Sequence, residues 1–542
     1  MLKLKNIAIA LLFICLFCQC KRNPTTWADD LVAPLANGNL TLGSLFPDTV
    51  IKANNDSSLS IILNTNLINY QLDSLLKIPD TTITNPSLSP ISSTISPGMM
   101  LPLGTASTST TQYTLPNGIQ LRKAIIKQGK VLVVMQNSVT EPLVYLYQLA
   151  SASKAGVVLN QTFNIPAAPS RTTPYTYTTS IDLSGYTIDL TGTGNSVNTI
   201  VQNGALNVAP SPLAHYDSLI AGEGLISNFA FQGLVPQYAL GYFGNQTIKV
   251  GPDTAAFNVF NSIKKGILNL NSATVAFTVT NQFGVAMQAN ISNISSINTN
   301  NPSTVILSNI PNQLNNIYVP AAHDNNGPNN PVVSISASPR TLTFNNSNSN
   351  ITAFIGNLPG KLSYRLTAQV NPPPASTGSG NNDFAYNGTS FSANLNMNVP
   401  LYFSASNLML GDTVTLNLST VGQLQNINKG NLILTATNSY PFSINLTATL
   451  LDANRQVIGT LFSNPGLIQV PPLDPNGKVI SPLQSKLYIP LTPQRVNNLQ
   501  KARYVYYTAT FNTANQPNQV KFYSNYTLGL LLTADINYTV GK

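Results

Sequence analysis

Two histidines, His215 and His323, and two glutamates, Glu141 and Glu223, are the scarcest acid–base groups in this 542-residue chain. A zinc site needs several ligands at close spacing, and each histidine stands alone in loop-like, proline-rich sequence. Neither the H-E-x-x-H pattern of zinc peptidases nor the G-x-S-x-G of serine hydrolases occurs. Glycoside hydrolysis takes a pair of carboxylates, and here the pair would have to be aspartates brought together by folding. Asp182 and Asp189 bracket Ser184-Gly-Tyr-Thr-Ile188, which reads as a turn capped by its own acids. Gly192-Thr-Gly194 and Gly378-Ser-Gly380 resemble pieces of phosphate loops, but neither precedes a helix whose N-terminus would supply donors. Asp324-Asn-Asn-Gly327 and Gly380-Asn-Asn-Asp383 set oxygens beside glycine as calcium loops do, without the bidentate acid further on. The expectation is therefore no catalytic, cofactor-binding or metal-binding residue, and no enzyme.

Cysteine is the remaining reactive group. Cys15, Cys18 and Cys20 are the only three, all at the end of a leader with Lys3, Lys5 and the apolar run Ile7 to Phe17. Eleven apolar residues suit the core of a secretory signal and are too few to cross a bilayer as a helix. Polar sequence, Lys21-Arg-Asn-Pro24, begins directly after Cys20. A cysteine at such a junction resembles the lipobox of bacterial lipoproteins, with Phe17, Cys18 and Gln19 replacing the usual Leu, small, small. The resemblance implies a signal peptide over 1–20 and acylation (palmitate and related chains) of Cys20, with Cys18 the alternative. Each buried methylene contributes about 0.8 kcal/mol, so several chains hold a protein firmly in the outer-membrane lipid. With no cysteine beyond Cys20, the mature chain has no disulfide or thiolate site, and its core alone must hold it together.

The elements that would position any site are strands. Charged residues are 8% and hydrophobic ones 43%, so helix-favouring charged surfaces give way to Asn, Thr, Ser, Val, Ile and Tyr. Loss of Lys3 and Lys5 with the leader takes the formal charge from +9 to +7. The excess reflects scarce acids: Lys123, Lys127 and Lys130 are the densest bases and no aromatics interleave them, so no nucleic-acid partner is expected. Apolar and polar residues alternate over Lys130–Met135, Thr274–Thr280, Asn431–Thr437 and Tyr526–Val540, the period of half-buried strands. One short helix is expected around Pro493–Lys501. The fold class is all-β, as tandem immunoglobulin-like sandwiches. The segments are a leader and β segment over 21–112, sandwiches over 113–215 and 216–345, a β segment over 346–425 and a C-terminal sandwich over 426–542.

A unit of strand, Asn, turn and strand recurs at Asn137, Asn281 and Asn438 and reads as a hairpin whose asparagine closes the turn. The last copy, Thr437-Asn-Ser-Tyr-Pro-Phe-Ser-Ile-Asn-Leu446, runs on through Leu451-Asp-Ala-Asn454 to Lys486-Leu-Tyr-Ile-Pro-Leu491. It resembles the type-2 late-embryogenesis-abundant (water-stress and hypersensitive-response) β-sandwich, which implies a sandwich and no catalytic residues. With Trp27-Ala-Asp-Asp30 and Ile78-Pro-Asp-Thr81, the whole chain resembles Bacteroidota cell-envelope lipoproteins.

Six of the aspartates precede Ser or Thr and then an apolar residue or Thr, a pattern similar to the O-glycosylation sequon of Bacteroidota envelope proteins. The candidate acceptors are Thr49, Ser74, Thr81, Ser218, Thr254 and Thr413. The function expected is a non-catalytic outer-membrane lipoprotein acting as a structural or interaction scaffold, with an envelope partner such as a β-barrel. The alternative is a glycan-binding accessory lipoprotein contacting sugars through tyrosines such as Tyr504 and Tyr506; an aspartate-based glycosidase ranks last. Lys21 and Arg22 stand where surface-exported relatives carry acids, so neither membrane face is specified.

Overall fold

The computed structural model describes residues 27–41, 46–104, 106–209, 215–308, 314–327, 330, 332–373, 382–417, 427–462, 466–513 and 518–540. Cys20 and the leader lie outside the described residues.

Alternation in the sequence becomes alternation in burial: Phe442–Leu451 and Tyr504–Thr513 bury every second side chain. The antiparallel strands sort into three sandwiches, the first from one eleven-stranded sheet folded into two layers and the others from two sheets each. In the first, Thr81–Leu88, Gly224–Tyr242, Gln120–Asn137 and Tyr175–Asp182 face Val157–Ile165, Leu143–Lys154, Thr199–Val208 and Ser107–Gln112. Thr187–Asp189 pairs with a strand of each layer and joins the two into one sheet. The second sets Leu59–Gln71, Ser390–Pro400, Thr274–Asn281 and Arg340–Phe344 against Thr247–Ala256, Lys361–Val370 and Met287–Asn298. The third sets Trp27–Leu40, Leu528–Val540, Ile427–Asn438 and Leu483–Pro490 against Lys265–Leu270, Tyr402–Thr415, Tyr504–Thr513 and Phe442–Leu451.

Stacked rings pin the cores: Tyr147 lies 4.2 Å from Phe229 in the first sandwich and Phe403 lies 4.5 Å from Phe522 in the third. Each fully buried large side chain contributes roughly 1.5–3 kcal/mol, which is how a chain without disulfides holds sheets together. The expected helix runs Pro493–Lys501, with Thr492 Oγ1 accepting the Arg495 N–H at 3.3 Å and Leu499 buried. Two shorter helices, Leu72–Leu75 and Ile351–Gly356, were not expected.

Sheet membership cuts across the segments read from the sequence. Segment 21–112 contributes Trp27–Leu40 to the third sandwich, Leu59–Gln71 to the second, and Thr81–Leu88 and Ser107–Gln112 to the first. Lys265–Leu270 likewise joins the third. Alternation says which face a residue takes and not which strand it meets.

The asparagine units are not hairpins. Thr274–Asn281 and Met287–Asn298 belong to opposite sheets, as do Ile427–Asn438 and Phe442–Leu451, and Gln120–Asn137 does not pair with Leu143–Lys154. Each asparagine is a corner at which the chain crosses the sandwich. Asn137 Nδ2 donates to the Glu141 and Pro166 carbonyls at 3.2 and 2.8 Å, and its Oδ1 accepts the Val139 N–H at 2.7 Å. Asn281 repeats the set with Val285, Pro320 and Phe283, and Asn438 with Phe442, Gln469 and Tyr440. All three are 0% exposed. The side chain replaces the ladder bonds that a strand loses on leaving its sheet, so the corner can be buried without orphaned backbone.

Candidate functional site

The acids are committed to turns. Asp182 Oδ1 accepts from the Ser184 N–H and hydroxyl at 2.9 and 2.6 Å, and Asp189 does the same with Thr191. Asp324 Oδ1 accepts the Asn326 and Gly327 N–H groups, so this candidate calcium loop folds as an aspartate-capped turn. Asp383, at the end of the other candidate loop, is buried and accepts from the Phe243 N–H and Asn371 Nδ2 at 2.9 and 2.8 Å; burial raises its pKa. His215 and His323 are both exposed. Among the described residues no group of three or more His, Cys, Asp or Glu could hold a metal ion.

One charged constellation does assemble, and no spacing in the sequence signals it. Arg171, in the loop after Val157–Ile165, donates Nη1 to both oxygens of Glu223 at 2.7 Å. Its Nη2 donates to Asp217 Oδ1 at 2.9 Å and to the Ser218 carbonyl at 2.5 Å. Thr140 Oγ1 donates to Asp217 Oδ2 at 2.5 Å, and this bond leads the causes that hold the Asp217 carboxyl below its ordinary pKa. Glu141 lies close enough for Asp217 to help raise its pKa, after desolvation. Both glutamates of the chain thus meet at one end of the first sandwich. Every carboxylate oxygen of Asp217 and Glu223 is engaged, so these two acids tie loops together. The cluster's two ion pairs are the only ones among the described residues.

A second arrangement lies on the outer face of the same sandwich. Asn160, Gln148 and Asn203 stand abreast on three neighbouring strands, with Gln148 Nε2 donating to Asn160 at 2.9 Å and Asn203 Nδ2 to Gln148 at 2.7 Å. They line an open cleft of about 400 Å³ with Ala106, Leu146 and Ala205 and no charged side chain. Amides present donors and acceptors side by side, and Leu146, 47% exposed, adds an apolar patch. The sequence pointed to tyrosines instead. Tyr504 and Tyr506 do share a face, half-buried, while Tyr507 is buried opposite.

The candidate acceptors are scattered over all three sandwiches. Thr49, Ser74, Ser218 and Thr254 are exposed; Thr81 and Thr413 are half-buried. In three of the six the aspartate Oδ1 accepts the next residue's N–H at 2.7 Å, at Ser218, Thr254 and Thr413. The bases are dispersed as well: Lys127 donates to Asn387 at 2.7 Å, and Lys478 sits 4.6 Å over the Tyr523 ring.

No protein-family description matches the chain, and no curated protein is significantly similar to it. Among solved structures, a protein of Parabacteroides distasonis, named only as a candidate secreted protein, aligns over 94% of this chain and 99% of its own, at 8% identity and a TM-score of 0.27. The Gt strain of infectious bursal disease virus aligns over 91% and 82%, at 10% identity and a TM-score of 0.13. Superpositions this loose carry no argument about activity. The class that the coordinates themselves define is an all-β protein of packed sandwiches. No helix among the described residues is long and apolar enough to cross a membrane.

Proposed function

We propose that the chain is a non-catalytic, lipid-anchored scaffold of a bacterial outer membrane that docks on another envelope protein such as a β-barrel. The observation that supports this is the place of the strand Trp27–Leu40. It starts seven residues after Cys20 and pairs with Leu528–Val540 from Trp27↔Val540 to Leu40↔Leu528. Seven residues span at most about 25 Å, so an acylated Cys20 holds the third sandwich close to the lipid headgroups. Docking on a membrane neighbour needs that proximity. The test is a mild-detergent pull-down of the tagged full-length chain from its own outer membrane, with mass spectrometry. A stoichiometric envelope partner is expected, and a chain recovered alone would defeat the proposal.

The amide-lined cleft favours a second reading, glycan binding. Amide rows match the paired hydroxyls of sugars, and Leu146 can meet a sugar's C–H face. A glycan array separates the two readings: saturable binding lost in Gln148→Ala supports this one, and its absence removes it.

A further inference from the structure

Four connections meet at one end of the first sandwich: 89–106, 138–142, 166–174 and 209–223. Hydrogen bonds knit them together. The Ala168 N–H donates to the Val139 carbonyl at 2.9 Å, and the Gly222 N–H to that of Ser89 at 2.8 Å. The Ala221 N–H donates to Ser92 Oγ at 3.0 Å. The network of Arg171, Asp217, Glu223 and Thr140 ties the last three connections to one another. A tip braced in this way has little freedom left to lose on binding, the condition that favours docking.

What the tip presents is apolar. Seven of the twenty-one large apolar side chains exposed among the described residues lie in 88–100 and 216–226. They are 37 to 75% exposed, with Ile91, Met99 and Tyr216 the most open. Register brings the two stretches side by side: Leu88 pairs with Gly224, and Ser93–Ile95 with Asp217–Leu219. Single exposed apolar side chains are ordinary, whereas a contiguous patch marks a contact surface. Seven side chains so exposed present on the order of 400 Å² of apolar surface. One partner in a standard interface buries roughly 800 Å², somewhat over half of it apolar, so the patch is of interface size.

Charge narrows the occupant. The four connections carry one base, Arg171, against three acids, Glu141, Asp217 and Glu223, a formal −2 in a chain of +9. Two copies meeting tip to tip would oppose like charges, and anionic lipid headgroups would be repelled. A protein with an apolar groove and a cationic rim is complementary on both counts.

We propose that these loops are the surface by which the chain docks on another envelope protein, one that offers an apolar groove rimmed by lysine or arginine. That partner's existence rests on the scaffold reading; the place and chemistry of the contact rest on the tip alone.

The experiment is photo-crosslinking in the native envelope, with benzoylphenylalanine in place of Tyr216 at the tip or of Tyr488 on the third sandwich, each in the full chain. Tyr488 is 64% exposed and controls for accessibility. The expected result is one adduct from the Tyr216 position alone, on a partner peptide that is apolar and flanked by Lys or Arg. With that partner purified, Ile91→Asp and Met99→Asp combined should weaken binding at least about thirtyfold. Val457→Asp, at an equally exposed place in the third sandwich, should leave it unchanged. An adduct with a second copy of the chain, or one from the Tyr488 position alone, overturns the proposal. So does flotation of the Cys20→Ser chain with phosphatidylcholine or phosphatidylglycerol vesicles that the Ile91→Asp, Met99→Asp pair abolishes. A partner recovered by pull-down that this double variant still binds overturns it and leaves the scaffold reading standing. No partner in either experiment removes both.

Discussion

Asn438 donates Nδ2 to the carbonyl of Gln469 at 3.0 Å, fastening the corner of the third sandwich to a segment thirty-one residues further on. Asn137 and Asn281 make the equivalent bond to Pro166 and Pro320. Replacing Asn438 with Ala orphans the buried Phe442 carbonyl and Tyr440 N–H and frees the part-buried Gln469 carbonyl, at about 1–3 kcal/mol for each buried group left unpaired. Partial repacking makes a net loss of roughly 2–4 kcal/mol the expected result in urea unfolding. Asn438→Asp should cost at least as much at neutral pH, because a carboxylate cannot donate.

Asp217 and Asp383 should respond to pH with opposite signs. The folded pKa of Asp217 is depressed, first by the Thr140 hydrogen bond, so its contribution is present above the ordinary carboxyl pKa and lost as pH falls through the folded one. The protection factor of the Ser218 amide, whose N–H donates to Asp217, should therefore fall in acid. The folded pKa of Asp383 is raised by burial, so its locus is most stable below the ordinary carboxyl value and loses stability as pH rises through the folded one. Asp383→Asn should abolish the pH dependence of the Phe243 protection factor without lowering it at pH 7.

Glycines beneath tyrosines allow a graded test of packing. A Cβ at Gly204 would collide with the Tyr145 hydroxyl, and one at Gly411 with that of Tyr506. Tyr145 is 3% exposed and cannot retreat, whereas Tyr506 lies half-buried on an outer face. Gly204→Ala should cost about 1–3 kcal/mol and Gly411→Ala less than about 1 kcal/mol, both read from thermal or urea melts.

Glycopeptide mass spectrometry of the native protein would test the sequons. Modification after folding needs an accessible hydroxyl, so Thr49, Ser74, Ser218 and Thr254 should carry sugar and Thr81 and Thr413 should not. Sugar on the half-buried pair alone would contradict this.

Fractionation tests the anchor. Cys20→Ser should move the protein out of the membrane fraction, and Cys18→Ser should leave it there. The reverse pattern would reassign the acylated residue.

Much of the architecture was legible in the residues. Period-two alternation marked Asn431–Thr437 and Thr274–Thr280 as strands, and the proline before Val496 and Leu499 marked the helix. The recurring asparagines were visible too, but their geometry was not. A turn after a strand looks alike whether the chain folds back beside that strand or crosses to the facing sheet. Ser107–Gln112 escaped notice because it has no apolar side to bury, pairing at an edge with Thr199–Gly204. The meeting of Arg171 with Asp217 and Glu223 spans 46 and 52 residues, and no local pattern encodes such distances. The scarcity of glutamate was the one available hint.

The pairing of Trp27–Leu40 with Leu528–Val540 also sets an order of assembly. A ribosome delivers the first of these strands more than four hundred residues before its partner exists. Until synthesis reaches Leu528–Val540, that strand has an unsatisfied edge, and the third sandwich cannot close. Under the proposed lipid anchoring, a truncated product would present an open strand beside the membrane, a mark of incompleteness for quality-control proteases.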